Sequence, residues 1–328
     1  MKRAVFFFLI CCGYLFGQEP IDVVFTWVDG SDPVWVEKKE FYMHQEGSVC
    51  RWAGRDRRFR NRDELKYALR SINDFAPFVR RIFIVTDDQK PNWFKSHPKI
   101  QIVSHKEIFP WPEYLPVFNS EAIEANLHRI PGLSEKYVYF NDDFLLGREV
   151  SPEDFFTESG QMKFFETAWG IPNVLNEKQA QNACTRTAWN TSQVLKRLYG
   201  EDKKQRFLLH VPYVMRKSVV EEAEREFPEV FQKNSSLRFR SPDGYRVACC
   251  LIPYVGLYTG KAIASKCDCY YFPFKSSLSQ DSQHAEKLFE RRPAFFCVQD
   301  MVSKIHEDAE ESLTAFFERY FPNPAPWE

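Results

Sequence analysis

The chain has 328 residues, which is enough for one large domain or two modest ones. Its residues are 44% hydrophobic and 27% charged, a globular composition that excludes intrinsic disorder and collagen-like repeats. The formal net charge of -1 argues against a strongly basic nucleic-acid-binding protein. After residue 20, no segment approaches the roughly 20 consecutive apolar residues of a membrane-spanning helix.

The first 17 residues have the pattern of a secretory signal peptide. A basic start at residues 1–3 is followed by an apolar run over residues 4–16 and by the small residue Gly17. We therefore predict a signal peptide over residues 1–17 and a mature chain over residues 18–328, located in the secretory pathway or otherwise outside the cytoplasm. An uncleaved anchor and a buried strand are the alternatives for this segment.

Removal of this segment changes the cysteine count. Cys11 and Cys12 lie within it, so seven of the nine cysteines remain in the mature chain. In an oxidising compartment, seven cysteines allow up to three disulfides and one free thiol. A zinc site is the weaker interpretation, because one residue separates Cys267 from Cys269 where zinc-binding pairs usually have two to four.

Alternating strand and helix patterns dominate the first half of the chain. In chain order, the patterns predict strands over residues 21–28, 81–86, 99–104 and 136–140, and helices over residues 62–75, 91–96 and 120–130. Such alternation predicts an α/β fold with a mainly parallel, Rossmann-like sheet and helices on both faces. The irregular, α-rich second half, with helices expected over residues 213–227 and 306–321, is predicted to complete the same body.

Polar residues gather where the predicted strands end. The residues that follow the four strands in turn are Asp29 and Asp32, then Asp87 and Asp88, then His105, and finally Asn141, Asp142 and Asp143. In open α/β sheets, ligands bind beyond the carboxyl ends of the strands. Acidic clusters meeting there suit a divalent metal and a phosphate-bearing substrate. The alternative is that Asp and Asn simply favour the turns after strands.

Several common enzyme motifs are absent from the sequence. It contains no GxGxxG or Walker A pattern, which disfavours a P-loop kinase and a classical dinucleotide-binding oxidoreductase. It also contains no GxSxG pattern, which disfavours an α/β-hydrolase.

Longer motifs run through the chain in a fixed order. The first is DVVFTWVDGSD at residues 22–32, and the second group comprises RNRDELKYALRS at 60–71, RIFIVT at 81–86, FNSEAIE at 118–124, HRI at 128–130 and YFNDD at 139–143. A third group is HVPY at 210–213, FP at 227–228 and RFRS at 238–241, and a fourth is FCVQD at 296–300, FP at 321–322 and PWE at 326–328. Together these motifs resemble the four conserved regions of the Stealth proteins. That family includes bacterial capsule hexose-1-phosphate transferases and the catalytic subunit of the lysosomal-enzyme N-acetylglucosamine-1-phosphotransferase.

The resemblance implies a reaction. A hexose-1-phosphate, N-acetylglucosamine-1-phosphate being one candidate, would pass from a nucleotide-diphosphate sugar to a glycan hydroxyl, forming a phosphodiester and releasing a nucleoside monophosphate. Such phosphoryl transfer needs charge neutralisation on the diphosphate and a base near the acceptor hydroxyl. The expected cofactor is Mg²⁺ or Mn²⁺, which can bridge phosphate oxygens.

The motif matches assign catalytic roles to four residues. His210 is the expected general base, because imidazole titrates near neutral pH without perturbation. Asp143 is expected to be catalytic or metal-linked, and Asp300 to orient His210 or to coordinate the metal. Arg240 is expected to bind phosphate through its forked guanidinium, with Arg238 as the alternative.

Further residues are assigned to metal and substrate by the same matches. Asp142 and Asp143 are the predicted metal ligands. The predicted substrate-binding residues are Asp29, Asp32, Asn119, Glu121, Arg238 and His128.

Four other side chains have less specific expectations. Trp27 is predicted to pack beneath the site or in the core. Glu64 and Arg70 lie on the first predicted helix, where a surface position is favoured for each and a position facing the site is the alternative. Glu124 and His128 lie four residues apart on a predicted helix, where they would form a surface pair or part of the acceptor pocket.

Two other functions remain open from the sequence. One is a glycosyltransferase that moves the sugar without its phosphate, and the other is a secreted glycan-binding protein that has lost catalysis. The expected partners are a nucleotide-sugar donor and a glycan or glycoprotein acceptor, with no nucleic acid and no membrane span after the signal peptide. A homo-oligomer is left open. In a eukaryote, the Golgi lumen would supply both nucleotide sugars and oxidising conditions.

Overall fold

The computed structural model describes residues 19–47, 53–171, 183–276, 278–302 and 307–328, so the predicted signal peptide lies outside the described residues. The strands are β1 (Ile21–Thr26), β2 (Val79–Thr86), β3 (Ile100–Ser104), β4 (Lys136–Asn141), β5 (Phe144–Leu146), β6 (Met162–Gly170), β7 (Arg206–Leu208), β8 (Tyr213–Arg216), β9 (Ala262–Ser265), β10 (Cys269–Phe274) and β11 (Phe295–Asp300). The helices are α1 (Pro33–Glu46), α2 (Glu64–Phe75), α3 (His105–Ile108), α4 (Ser120–Glu124), α5 (Pro152–Phe155), α6 (Ala183–Tyr199), α7 (Lys217–Glu226), α8 (Pro228–Ser236), α9 (Ile252–Tyr258), α10 (Leu278–Arg291) and α11 (Glu307–Tyr320).

The central sheet has five strands in the order β3-β2-β1-β4-β8. β1 pairs in parallel with both β2 and β4, β2 pairs in parallel with β3, and only the edge strand β8 is antiparallel. The apolar side chains of β1 and β2 are buried almost throughout, as expected for a parallel sheet covered on both faces. The predicted α/β fold with a mainly parallel sheet is therefore confirmed.

The strand order reverses direction between β1 and β4. From β1 the chain moves outward to β2 and β3, and it then returns to the other side of β1 to form β4. A crevice opens at such a switch point because the connections on its two sides diverge, and ligands of open α/β sheets bind there. The fold thus directs attention to the carboxyl ends of β1 and β4.

A second sheet brings a late part of the chain to this crevice. It has the order β10-β11-β5, with β10 parallel and β5 antiparallel to β11. Cys297 pairs with Phe144, and the Val298 N–H donates to the Asp143 carbonyl oxygen over 3.1 Å. Residues 297–300 are therefore held against the turn that follows β4.

The helix α2 is buried on more than its apolar face. Arg70 is 3% exposed, and its guanidinium donates to both carboxylate oxygens of Glu328 over 2.7 Å each. It also donates to Glu318 over 2.9 Å and to the Phe321 carbonyl oxygen over 2.7 Å. The predicted surface position of Arg70 is wrong, because α11 and the residues after it cover this side of α2.

Most predicted elements of the first half match the structure to within three residues. The helix predicted over residues 91–96 is absent, and a turn closed by the Phe94 N–H on the Pro91 carbonyl stands there. The helix predicted over 120–130 ends at Glu124. Residues 213–227 divide into the strand β8 and the helix α7, since the first four residues pair with β4.

The described part of the chain contains no helix long and apolar enough to cross a membrane. Among the described residues, the cysteines that are free thiols are Cys249, Cys250, Cys267, Cys269 and Cys297. The disulfides that the sequence allows are therefore not formed by these five residues.

Candidate active site

A cavity of about 430 Å³ lies at the carboxyl ends of the central strands. Its lining includes residues at the ends of β1, β2 and β4, the start of α3, the loop before α2, and the end of β11. The titratable residues of the lining are Arg57, Arg58, Arg60, Glu64, Asp87, His105, Asp142, Asp143, His210, Arg240, Tyr271 and Asp300. Acidic and basic side chains therefore line the same cavity.

Three side chains form a compact cluster in the cavity wall. Ligand-type atoms of Asp143, His210 and Cys297 all lie within 4.8 Å of one another. The His210 Nε2 atom is 3.8 Å from Asp143 Oδ2, and the Cys297 thiol donates to the same oxygen over 3.3 Å. The His210 ring is held edge-on against Phe144, with ring centres 4.6 Å apart. The turn after β4, the strand β11 and the loop before β8 therefore each contribute one of the three side chains.

Two further carboxyl groups of the cavity lining, Asp142 and Glu64, have raised pKa values. The pKa of Asp142 is raised well above its ordinary value by burial and by the nearby carboxylates of Asp143 and Glu64. Burial, together with Asp143, raises the pKa of Glu64 to about 7. Asp143 Oδ1 is buried and has no hydrogen-bond partner among the described residues. Crowded carboxylates with an unused oxygen are the donor set that a hard divalent cation requires.

Arginines supply the opposite charge. Four of them line the cavity: Arg57, Arg58, Arg60 and Arg240. Burial, followed by the neighbouring cations Arg240 and Arg57, lowers the pKa of Arg58 to about 10. Arg240 donates to the Ser120 hydroxyl over 2.6 Å, which fixes its guanidinium at the start of α4. Guanidinium groups brought this close together form a site for a multiply charged anion.

Six of the predicted site residues line this cavity: Asn119, Asp142, Asp143, His210, Arg240 and Asp300. Asn119 caps α4, accepting from the Glu121 N–H over 3.1 Å. Asp300 is engaged by Arg60 over 2.8 Å. The carboxylate that faces His210 is Asp143, so the geometry gives Asp300 no orienting role toward the imidazole.

Asp29 and Asp32 are outside the lining and serve the local backbone. Asp29 accepts from the N–H and the hydroxyl of Ser31 over 2.9 and 2.6 Å. Asp32 is the N-cap of α1 and accepts from the Val34 N–H over 2.9 Å. A hydrogen bond from Gln89, followed by those from the helix N–H groups, lowers the pKa of Asp32. Both residues therefore fit the alternative stated in the sequence analysis, that Asp favours the turns after strands.

The remaining three predicted substrate-binding residues, Glu121, Arg238 and His128, also lie outside the lining. Arg238 is held by the Pro116 carbonyl over 2.8 Å and by Glu46 over 2.9 Å, so Arg240 is the arginine of this pair that reaches the cavity. His128 contacts Glu224 over 3.1 Å, which replaces the predicted pairing with Glu124.

Sequence reasoning missed two features of the site. Cys297 is one of the seven cysteines of the mature chain, and the sequence predicts for it only a disulfide or a free thiol, although it lies three residues before Asp300 in the same motif. Glu64 was expected at the surface, yet it is 6% exposed and accepts from the Arg62 N–H over 2.6 Å. The signal that could have revealed Glu64 is its place at the start of a helix that follows an arginine-rich loop.

Glu124 is a buried carboxyl outside the cavity lining, and its ionisation is expected to lower the stability of the fold. Burial, with Glu121 nearby, raises its pKa from 4.5 to about 7, and its carboxylate accepts from the Tyr139 hydroxyl over 3.3 Å. When the pKa of a carboxyl is higher in the folded than in the unfolded state, folding is favoured by the proton that the folded state retains. For Glu124 this stabilisation is complete below pH 4.5 and is lost as the pH rises through about 7. We expect Glu124→Gln to raise the free energy of unfolding by about 1–3 kcal/mol at pH 8 and to leave it unchanged below pH 4.5.

Denaturant unfolding at the two pH values measures this difference. The matched control is Glu286→Gln, which removes an exposed carboxylate of α10 and should change the free energy little at either pH. A Glu124→Gln effect of equal size at both pH values would contradict the raised pKa.

This geometry defines a class of α/β protein. Acidic side chains and four arginines line one cavity, which lies where the strand order of the central sheet reverses. Models of Stealth protein conserved regions match the chain in order. Conserved region 1 matches residues 19–47, region 2 matches 58–164, region 3 matches 209–249 and region 4 matches 286–328. The chain belongs to the Stealth family, as the sequence motifs predicted.

Curated relatives agree with this assignment. The exopolysaccharide phosphotransferase SCO6023 of Streptomyces coelicolor is 39% identical over 313 residues, covering 94% of this chain and 52% of its own length. The exopolysaccharide phosphotransferase CpsY of Mycobacterium tuberculosis is 39% identical over 314 residues, covering 94% of this chain and 58% of its own. The chain thus spans a little over half the length of these relatives.

A solved structure of the galactosyltransferase LgtC with donor and acceptor sugar analogs aligns with 91% of this chain and 95% of its own. The sequence identity is 11% and the TM-score is 0.43, which is too low to carry an argument about function.

Proposed function

We propose that this chain transfers a sugar-1-phosphate from a nucleotide-diphosphate sugar to a hydroxyl of a glycan. The observation that carries the proposal is the meeting of the Asp142–Asp143–His210 group with four arginines in one cavity. A diphosphate needs cations around its oxygens, and the arginines supply them. An attacking hydroxyl needs a base, and His210 supplies it. The names of the relatives, exopolysaccharide phosphotransferases, support the same reaction class.

The residues have distinct tasks in this reaction. His210 takes the proton of the acceptor hydroxyl at a ring nitrogen, while the hydroxyl oxygen forms a bond to the β-phosphorus. The bond from that phosphorus to the oxygen bridging the two phosphates breaks, and the nucleoside monophosphate leaves with the electron pair. Arg240 and the arginines before α2 stabilise the negative charge that is spread over the phosphoryl oxygens in the transition state.

The carboxylates fit a divalent cation, Mg²⁺ or Mn²⁺. Asp142 and Asp143 would hold it, since they are crowded acidic groups and Asp143 Oδ1 has no other partner among the described residues. Such an ion, when bound, supplies charge neutralisation to the diphosphate. Cys297 donates its thiol hydrogen to Asp143 Oδ2 and so leaves Oδ1 as the free donor atom of that carboxylate.

Product analysis tests the function. The purified chain is incubated with Mn²⁺, an oligosaccharide acceptor and each of a panel of nucleotide sugars, among them UDP-N-acetylglucosamine. We expect release of the nucleoside monophosphate and a new phosphodiester signal in the ³¹P NMR spectrum. The variant His210→Gln, which lacks the proposed general base, should lower the rate by about 10²–10⁴-fold.

The alternatives give different products. Release of the nucleoside diphosphate, with a glycosidic bond and no phosphodiester, would show a glycosyltransferase. Retained glycan binding without turnover of any donor would favour the inactive binding protein. The predicted secretory location is part of the same proposal, and it requires nucleotide sugar to be supplied in the compartment that the chain enters.

A further inference from the structure

His105 is a buried imidazole that faces the cavity. It is the first residue of α3, directly after β3, and it is 4% exposed. It belongs to the cavity lining, yet neither ring nitrogen has a hydrogen-bond partner among the described residues. Its ring rests near Phe109, with ring centres 6.1 Å apart, and that contact satisfies neither nitrogen. The mechanism proposed above does not use this residue.

Such an arrangement is costly unless a ligand completes it. A buried polar group without a partner forfeits the hydrogen bonds that water would have made. Burial also lowers the pKa of His105 to about 4, so the ring is neutral at physiological pH. A neutral imidazole offers one N–H donor and one acceptor nitrogen. A single group that presents both an acceptor and a donor would therefore satisfy both ring nitrogens.

The position of His105 in the sheet sets its distance from the acidic cluster. The cavity lining runs from Asp142 and Asp143 after β4, past Trp27 and Val28 after β1, to Asp87 after β2 and His105 after β3. β3 and β4 are three strand intervals apart in the order β3-β2-β1-β4, which corresponds to about 14 Å at the usual strand spacing. This span is comparable with the extent of a nucleoside diphosphate from its base to its terminal phosphate.

We infer that the His105 end of the cavity is the subsite for the nucleoside of the donor, with the imidazole hydrogen-bonding to the base. The inference rests on the proposed function, because the phosphates are taken to lie at the acidic and arginine-lined end. A nucleobase presents ring and exocyclic donors and acceptors side by side and carries no charge, which matches a neutral imidazole. Asp87 is already engaged with Lys38 over 2.6 Å, so His105 supplies the unused polar atoms at this end.

Calorimetric binding to the whole chain, with Mn²⁺ present, separates the nucleoside from the phosphates. The probes are UDP, GDP, ADP, CDP and inorganic pyrophosphate. The ratio of each nucleotide's affinity to that of pyrophosphate reports the nucleoside contribution. We expect His105→Leu to lower this ratio about tenfold or more for the preferred nucleotide and to leave the pyrophosphate affinity unchanged. His105→Gln, which keeps a donor and an acceptor, should recover part of the loss.

Several outcomes would overturn the subsite. They are a wild type that binds no nucleotide better than pyrophosphate, a His105→Leu variant with unchanged nucleotide affinity, or equal losses for nucleotide and pyrophosphate. Thermal unfolding of both variants controls for folding, and His105→Leu should be no less stable than wild type because it removes unpaired polar atoms. Product analysis distinguishes the two proposals: release of the diphosphate would overturn phosphotransfer and leave a His105-dependent nucleoside subsite intact.

Discussion

Replacing Asp143 with asparagine is expected to lower the transfer rate by roughly 10³-fold. The change removes the carboxylate that faces His210 at 3.8 Å and whose buried Oδ1 atom has no partner in the described part of the chain. It also removes one of the two carboxylates that, after burial, raise the pKa of Asp142. We expect Mn²⁺ binding, followed by calorimetry or by paramagnetic line broadening, to weaken together with the rate.

Asp202→Asn is the matched control for this experiment. Asp202 lies in an exposed turn after α6, outside the cavity lining, so its replacement changes the net charge equally without touching the site. We expect it to retain the wild-type rate and metal affinity. An Asp143→Asn variant that keeps either the rate or the Mn²⁺ affinity would contradict the role given to this carboxylate.

Replacing Arg70 with methionine is expected to cost about 3–5 kcal/mol of stability, or on the order of 10 °C in the unfolding temperature. The large effect arises because Glu328, only 8% exposed in its side chain, would lose its bidentate partner and remain buried with its charge. Arg70 also packs against Tyr67, which stacks on Phe317 of α11 with ring centres 4.7 Å apart. Thermal unfolding measures the loss.

Two comparisons make the Arg70 prediction specific. Arg197→Met removes an exposed arginine whose partner Glu229 is also exposed, and surface pairs of this kind contribute about 1 kcal/mol or less. The double variant Arg70→Met, Glu328→Gln should recover part of the stability, because it removes a buried carboxylate whose remaining cationic partner is Lys66 at 3.7 Å. If Arg70→Met cost no more than Arg197→Met, the docking of the final residues onto α2 would contribute little to stability.

The central sheet was predictable because its strands are continuous apolar runs. A parallel strand buried on both faces reads as such a run, and the residues just beyond each run then mark the edge where ligands bind. That reasoning found Asp142 and Asp143. It could not separate Asp29 and Asp32 from them, since capping a helix and lining a cavity call for the same side chain.

The remaining parts depend on contacts that local patterns do not encode. Residues 213–216 are a strand because they pair with β4, and the helical rhythm that continues beyond them conceals this pairing. Arg70 and Glu64 were expected at the surface because both are charged residues on a helix. Their partners come from distant parts of the sequence: Glu318 of α11 accepts from Arg70, and the Asp143 carboxylate raises the pKa of the buried Glu64. The choice of Arg240 over Arg238 likewise depended on which guanidinium the Pro116 carbonyl captures.

The pairing of β5 with β11 affects when the cavity forms during folding. Cys297 meets Asp143 across 154 positions of sequence, a contact that closes a very long loop. Such distant strand pairings form late and slowly during folding. A chain still being synthesised can complete the sheet from β1 to β4, but it lacks the wall that β11 supplies. The cavity wall formed by residues 298–301 is therefore completed only after β11 has been synthesised and has paired with β5.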